Sequence, residues 1–306
     1  MHCRHLGFWV CLGGLAGLNM GCQPAIAPAP SSGPASSLEV TAAPVPANPS
    51  ALDYTPYDLP ESRIHVLTIP PGTTYRIEVA LAETLAPLPV LAEDAGAIAA
   101  INAGFFDPQN GRTTSYITRQ NQLIADPRQN PRLMENPDLE PYLDAILDRS
   151  EFRIYDCHGI VQYAIVRHSA AIPASCTMAS AVGAGPQLLP TMTGYEEGFL
   201  ADNSQGDIVR DAVGSRYPNA RSAVGIKADG SVVFVMASQR ADVEVPTGLS
   251  FADLAVFLQE LDVISALNLD GGSSSGLFYR GETFYGRLDA EQRPVERPIK
   301  SILLVH

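Results

Sequence analysis

The sequence predicts an α+β fold: a mixed, mostly antiparallel β-sheet core with a few flanking helices. Three observations carry that expectation. Short alternating apolar and polar runs recur between Gly and Pro clusters through residues 53–306. One segment, 251–261, carries a clear helical stripe. Finally, 46% hydrophobic residues against 17% charged describe a chain able to bury a core, neither an acidic disordered tail nor a coiled coil.

Taken in order, the folded body is expected to begin near Asp53. Segments 63–69 and 75–81 alternate, and Pro70-Pro71-Gly72 between them is turn chemistry, which predicts a hairpin. Residues 97–101 read as a short buried strand. Residues 107–150 are polar and punctuated by proline, with a short helix over 142–147. Strands follow at 152–155, 161–166, 222–226 and 232–237, the last two joined by the hairpin signal Asp229-Gly230. In the helix, Phe251, Leu254, Leu258 and Leu261 share one face, and Ser250 with Asp253 approximates a capping box. A buried strand at 264–269 leads into a Gly/Ser loop, and segments 277–279 and 301–305 close the sheet.

The amino terminus reads as an export signal. Arg4 is the only charged residue before Glu39, and the apolar run 6–18 is too short to span a membrane. Met20-Gly21-Cys22 resembles the end of a bacterial lipoprotein signal, with Cys22 as the lipidated residue, although Asn19 stands where such signals carry Leu. Cleavage after Ala25-Ile26-Ala27 and an uncleaved anchor are the alternatives. All three place the domain outside the cytoplasm, in the envelope, the periplasm or beyond. Residues 23–52 form a Pro-, Ala- and Ser-rich linker that cannot bury enough apolar surface to offset ordering entropy. Of five cysteines, this leaves Cys157 and Cys176 in the body, expected to form a disulfide in an oxidising compartment. A Cys–His pair using His158 or His168 is the alternative.

Charge narrows the function. With 20 Lys and Arg against 33 Asp and Glu, the net charge is −13 and the pI near 4.8. A nucleic-acid binder needs a basic stripe to displace counterions, so no nucleic-acid partner is expected. An anionic membrane surface repels such a chain, which leaves membrane contact only through a lipid anchor.

Four segments stand out as candidate chemistry. Asn268-Leu269-Asp270-Gly271-Gly272-Ser273-Ser274-Ser275-Gly276 brings one carboxylate to a strand end, followed by glycines whose amides can form an anion nest and by three hydroxyls. It lacks the Gly-Lys-Ser/Thr of a phosphate loop and the Gly-x-Ser-x-Gly of a nucleophile elbow. An Asp-Gly turn with a serine-rich tip is the plainer reading. In Asn102-Ala103-Gly104-Phe105-Phe106-Asp107-Pro108 the aromatic pair beside glycine suits the apolar wall of a sugar site, or the core end of a strand. Ala220-Arg221-Ser222-Ala223-Val224-Gly225 opens a strand with an arginine, which alone reads as a solvated edge residue. Gly183-Ala184-Gly185-Pro186 reads as an irregular turn against the sheet.

Together and in this order, these four segments, with Arg297-Pro298 before the last strand, resemble the phosphodiester glycosidase family over roughly residues 75–305. Ala103 and Ser273 depart from it, standing where the family commonly has glycine. The resemblance implies hydrolysis of a sugar-1-phosphodiester to free sugar and phosphomonoester. It also implies the site: Asp270 as base on water or as stabiliser of the cationic sugar centre, and Arg221 as the fork on phosphate, helped by Ser274 and the Gly271 and Gly272 amides. Asn102 is expected to hold sugar hydroxyls or the reacting centre, with Gly104, Phe105 and Arg297 binding substrate. No cofactor is expected; Ca²⁺ or Mg²⁺ on Asp270 and nearby hydroxyls is the alternative. A non-catalytic module binding anionic envelope glycans on the same fold is the competing function.

Overall fold

The structure, a computed structural model, describes residues 51–306 apart from Val245. The expected signal peptide, Cys22 and most of the linker lie outside the described residues. The chain opens with β1 (Asp53–Asp58), β2 (Arg63–Ile69) and β3 (Ile77–Ala86), then α1 (Leu88–Asp94) and β4 (Ala99–Asn102). β5 (Ile117–Arg119) and β6 (Gln122–Ala125) precede two short helices, α2 (Pro131–Met134) and α3 (Leu143–Leu147). Next come β7 (Ser150–Cys157), β8 (Ile160–Arg167), β9 (Thr177–Gly183), β10 (Gln187–Leu189), β11 (Leu200–Asp202) and β12 (Ile208–Asp211). β13 (Arg221–Lys227), β14 (Val232–Ser238), α4 (Phe251–Glu260) and β15 (Val263–Asn268) follow. The described chain closes with β16 (Gly276–Tyr279), β17 (Glu282–Tyr285) and β18 (Ile299–Val305).

The fold is α+β and mainly antiparallel, as expected, but its strands divide among several sheets rather than closing one. A six-stranded sheet runs β1-β2-β14-β13-β15-β10, one five-stranded sheet β17-β16-β4-β18-β3, and another β6-β5-β9-β7-β8; β11 and β12 form a separate ribbon. The three large sheets enclose one core. Leu67, Phe234 and Leu267 come from the first, Val79, Ile101 and Leu303 from the second, and Ile117, Phe152 and Val182 from the third. Each such side chain contributes about 1.5–3 kcal/mol on burial. The outer face of the six-stranded sheet is covered by α4, through Phe251, Leu254, Phe257 and Leu258. α1 covers the second sheet through Leu88 and Ala92.

Helix α4 forms where its periodicity places it. Its capping box closes with Ser250 Oγ accepting from the Asp253 amide at 3.2 Å and the Asp253 carboxylate accepting from the Ser250 amide at 3.3 Å. The hairpin across Asp229-Gly230 is also present, with β13 and β14 paired from Arg221↔Ala237 to Ile226↔Val232. The hairpin expected across Pro70-Pro71-Gly72 is not. β2 pairs with β1 and β14, while β3 pairs with β18 in the second sheet. Leu67 and Ile69 of β2 meet Ile77 and Val79 of β3 in the same core, so these strands face each other across it rather than lying side by side. The two prolines also lack the N–H groups a tight ladder turn would use.

Candidate active site

All four segments singled out in the sequence meet at one junction of the sheets. The Asp270 amide donates to Ala103 O at 2.8 Å, joining the last segment to the first. Leu269 N donates to Ser222 O and Gly272 N to Ala220 O, both at 2.8 Å, joining it to the third. Gly185 N donates to Asn268 O at 2.9 Å and Asn268 N to Pro186 O at 3.1 Å, across a cis Gly185–Pro186 bond, joining it to the second. Gly104 is packed so tightly on the second segment that a Cβ there would lie 2.9 Å from Gly183 O.

Asp270 sits at this junction, just past the end of β15 and half-buried. Burial pushes its carboxyl up to about 6, against the opposing effects of the Ser274 hydroxyl, the nearby Arg297 charge and the Gly271 amide. A carboxylate so tuned exchanges a proton near neutral pH.

Arg221 does not join it, contrary to the expected fork. β13 lies between β14 and β15, an interior position, and Arg221 is only 2% exposed. Successive strand residues point to opposite faces. Ser222 reaches Asn102 on the site side, whereas Arg221 turns the other way, its guanidinium carbon 4.4 Å from the Phe251 ring of α4. It donates to the carbonyls of Leu249, Val213, Gly214 and Tyr217 at 2.6–3.0 Å. These bonds tie the 213–217 loop to the sheet and engage all three nitrogens of the guanidinium on main-chain carbonyls. Neither the functional reading nor that of a solvated edge residue describes it.

Asn102 is likewise a scaffold residue rather than a sugar ligand. It is 1% exposed, and its Oδ1 accepts from Ser222 Oγ at 2.7 Å and Gly276 N at 3.0 Å while its Nδ2 donates to Asp270 O. It therefore fixes the main chain of the acid. Gly104 is buried, its amide donating to Ser301 Oγ, so it serves close packing rather than substrate contact. The Gly272 amide is engaged by Ala220 O, which takes it out of an open anion nest. Gly272 is needed for its backbone, with φ +60°.

The guanidinium beside Asp270 is Arg297. It is half-buried, 5.3 Å over the Phe106 ring, and donates to Ser273 Oγ at 2.7 Å. No other hydrogen bond of its side chain falls among the described residues. Ser273, one of the departures from the family pattern, thus orients the cation; Ala103, the other, places its Cβ in the core at 1% exposure. Ser274 is 6% exposed with its hydroxyl on the Asp270 carboxylate. The Phe pair splits: Phe106 supports Arg297, while Phe105 packs 5.7 Å from Phe199 with Arg149 alongside. The Tyr285 phenol is pushed up to about 12 by burial and the Glu296 charge. The Asn268 carboxamide oxygen is buried without a donor, a position that water or a substrate hydroxyl would satisfy. Among the described residues no three His, Cys, Asp or Glu side chains gather around one point.

One further expectation, the disulfide, concerns structure rather than chemistry. Cys157 and Cys176 are joined in a disulfide, closing the end of the β7–β8 hairpin onto the lead into β9. Asp107 is a turn residue, paired with Arg132 at 2.6 Å and accepting from the Gln109 amide.

The fold and site together define a mainly antiparallel α+β protein with one acid on a glycine-serine loop and one arginine, from the segment before the last strand, bonded to that loop. The sequence matches the phosphodiester glycosidase family over residues 95–306, and the chain belongs to that family. Solved structures of similar fold include the catalytic domain of zebrafish N-acetylglucosamine-1-phosphodiester alpha-N-acetylglucosaminidase, auto-inhibited by its pro-peptide. It shares 17% identity over 88% of this chain and 87% of that one, with a TM-score of 0.59. A hypothetical protein from Synechocystis matches with a TM-score of 0.54 and 17% identity, covering 88% of this chain and 68% of its own. A Burkholderia pseudomallei protein described as exported gives 0.56 and 14%, covering 82% and 74%. Among curated proteins none is recognisably similar in sequence.

Proposed function

We propose that the protein is an exported phosphodiester glycosidase, hydrolysing a sugar-1-phosphodiester to free sugar and a phosphomonoester. The observation that carries this reading is a carboxyl raised to about 6 within the field of a half-buried arginine that makes one side-chain hydrogen bond among the described residues. The C1–O bond to phosphate breaks, the oxygen of water bonds to C1, and ionised Asp270 takes the proton that water loses. The bonding pair leaves with the phosphate oxygen. Arg297, oriented by Ser273, stabilises that developing charge, and Ser274 steadies the carboxylate. Phosphate is already a good leaving group, its second pKa being about 6, so the second carboxylate used by ordinary glycosidases is dispensable here.

Export is supported by the Cys157–Cys176 bridge, which persists in oxidising compartments. No helix among the described residues is long and apolar enough to cross a membrane. Retention at the membrane is assigned to lipid on Cys22, and Cys22→Ser is expected to release the protein into the soluble fraction.

The decisive experiment incubates the protein with a panel of chromogenic sugar-1-phosphodiesters and identifies the products. Free sugar with phosphomonoester is expected, formed about 10²–10³-fold more slowly in Arg297→Ala. Tight binding of an anionic glycan without turnover of any diester would replace the enzyme by a binding module.

A further inference from the structure

We propose that Arg149 and Arg210 form a second oxyanion subsite beside the centre described above, gripping a phosphate or carboxylate carried on a remote part of the substrate. The proposal rests on the reading of that centre as the reacting one. Arg149 immediately precedes β7 and Arg210 lies in β12, yet the fold holds them alike. Arg149 Nε donates to Glu197 O at 3.1 Å and Arg210 Nε to the next carbonyl, Gly198 O, at 2.8 Å. Each rests on an aromatic face, Arg149 at 3.7 Å from the Phe199 ring centre and Arg210 at 4.5 Å from that of Tyr142. The terminal nitrogens of both have no hydrogen-bond partner among the described residues, and both side chains are part-exposed.

Among the described residues neither makes an ion pair. Glu197, the acid of this region, is fully buried, and its oxygens accept from the Ser150 amide and hydroxyl, the Gln187 amide and the Thr193 hydroxyl. Two guanidiniums held together, in a chain of net charge −13, carry a repulsion that a bound oxyanion relieves. Burial draws the Arg149 guanidinium down to about 9, opposed by the nearby Glu197 carboxylate and assisted by the Arg210 charge. A short stretch of chain links Arg149 to the acid. Phe105, whose ring centre is 5.9 Å from Arg149, lies two residues past Ala103, which accepts the Asp270 amide. A substrate with its scissile bond at Asp270 extends its charged sugar substituent along this stretch towards the arginines.

Calorimetric titration tests this with glucose 6-phosphate, glucuronate and neutral glucose, none of which contains a scissile diester. Wild type is expected to bind at least one anionic sugar about tenfold more tightly than glucose. Arg210→Gln should lose most of that margin and Arg149→Gln/Arg210→Gln all of it, whereas Arg297→Gln keeps it. Preference for glucose 6-phosphate assigns the anion as phosphate; preference for glucuronate assigns it as carboxylate. Arg210 lies on the separate β11–β12 ribbon, so its single variant decides the matter even if the double variant folds poorly. Equal affinity for all three sugars, or an equal loss in Arg297→Gln, overturns the subsite. Anionic binding that survives while every diester goes unhydrolysed would refute the glycosidase and leave the subsite standing.

Discussion

At residue scale, the raised carboxyl of Asp270 has two measurable consequences. Its folded value near 6 lies above the ordinary 3.8, so the fold favours the protonated acid. The stability that this preference adds is complete below about pH 4 and is lost as pH rises through 6. Asp270→Asn removes the charge, so the variant is expected to melt higher than wild type at pH 8, the gap closing at pH 4. A gap independent of pH would show that the carboxyl is not destabilised by burial. The same variant should lose about 10²–10⁴ in turnover. In wild type, kcat/KM should rise with pH through a midpoint near 6, where Asp270 ionises. Arg297 lowers that midpoint, so Arg297→Met is expected to move the rising limb to higher pH; a limb that shifts downward would remove Arg297 from the site.

At the scale of elements, β13 shows what local sequence conveys and what it omits. The Asp229-Gly230 turn and the α4 stripe with its capping box were legible because every interacting residue lies within a few positions of the next. Arg221 at the start of β13 was not, because nothing nearby says that β15 and β14 flank it or that the 213–217 loop folds over its guanidinium. Alternation in 63–69 and 75–81 likewise revealed strands without revealing their partners, since strands lining two faces of one core alternate as well as hairpins do. The convergence of the four segments was legible; which arginine points into it was not, as Arg221 and Arg297 are told apart only by which face of its element each occupies. Arg149 lay hidden in a polar stretch without periodicity. Replacing Arg221 by Met strands four carbonyl acceptors and should cost about 3–5 kcal/mol by urea denaturation, while turnover per folded molecule stays near wild type. Loss of turnover with stability intact would restore Arg221 to catalysis. Breaking the Cys157–Cys176 bridge with the double Cys→Ser variant should cost about 3 kcal/mol, read from the same curves.

At the scale of the molecule, the fold class was written in composition and strand length, but the division into three sheets was not, because it depends on pairings such as β3 with β18 across most of the chain. Asn102 joins two of these sheets: it leaves β4 in one, meets Ser222 of β13 in another, and clasps the loop that carries the acid. Asn102→Leu leaves Ser222 Oγ, Gly276 N and Asp270 O without their partner and is expected to cost about 2–4 kcal/mol while reducing turnover. Unchanged turnover would mean that the acid does not depend on this clasp. The clasp has a pharmacological corollary. With its amide held by Ala103 and its carbonyl by Asn102, Asp270 is anchored on both sides before any ligand arrives. Inhibitors of this centre therefore gain from stiffness: a rigid bicyclic mimic sacrifices little entropy in meeting a receptor that is already set, whereas a floppy one forfeits affinity for adaptability it does not need.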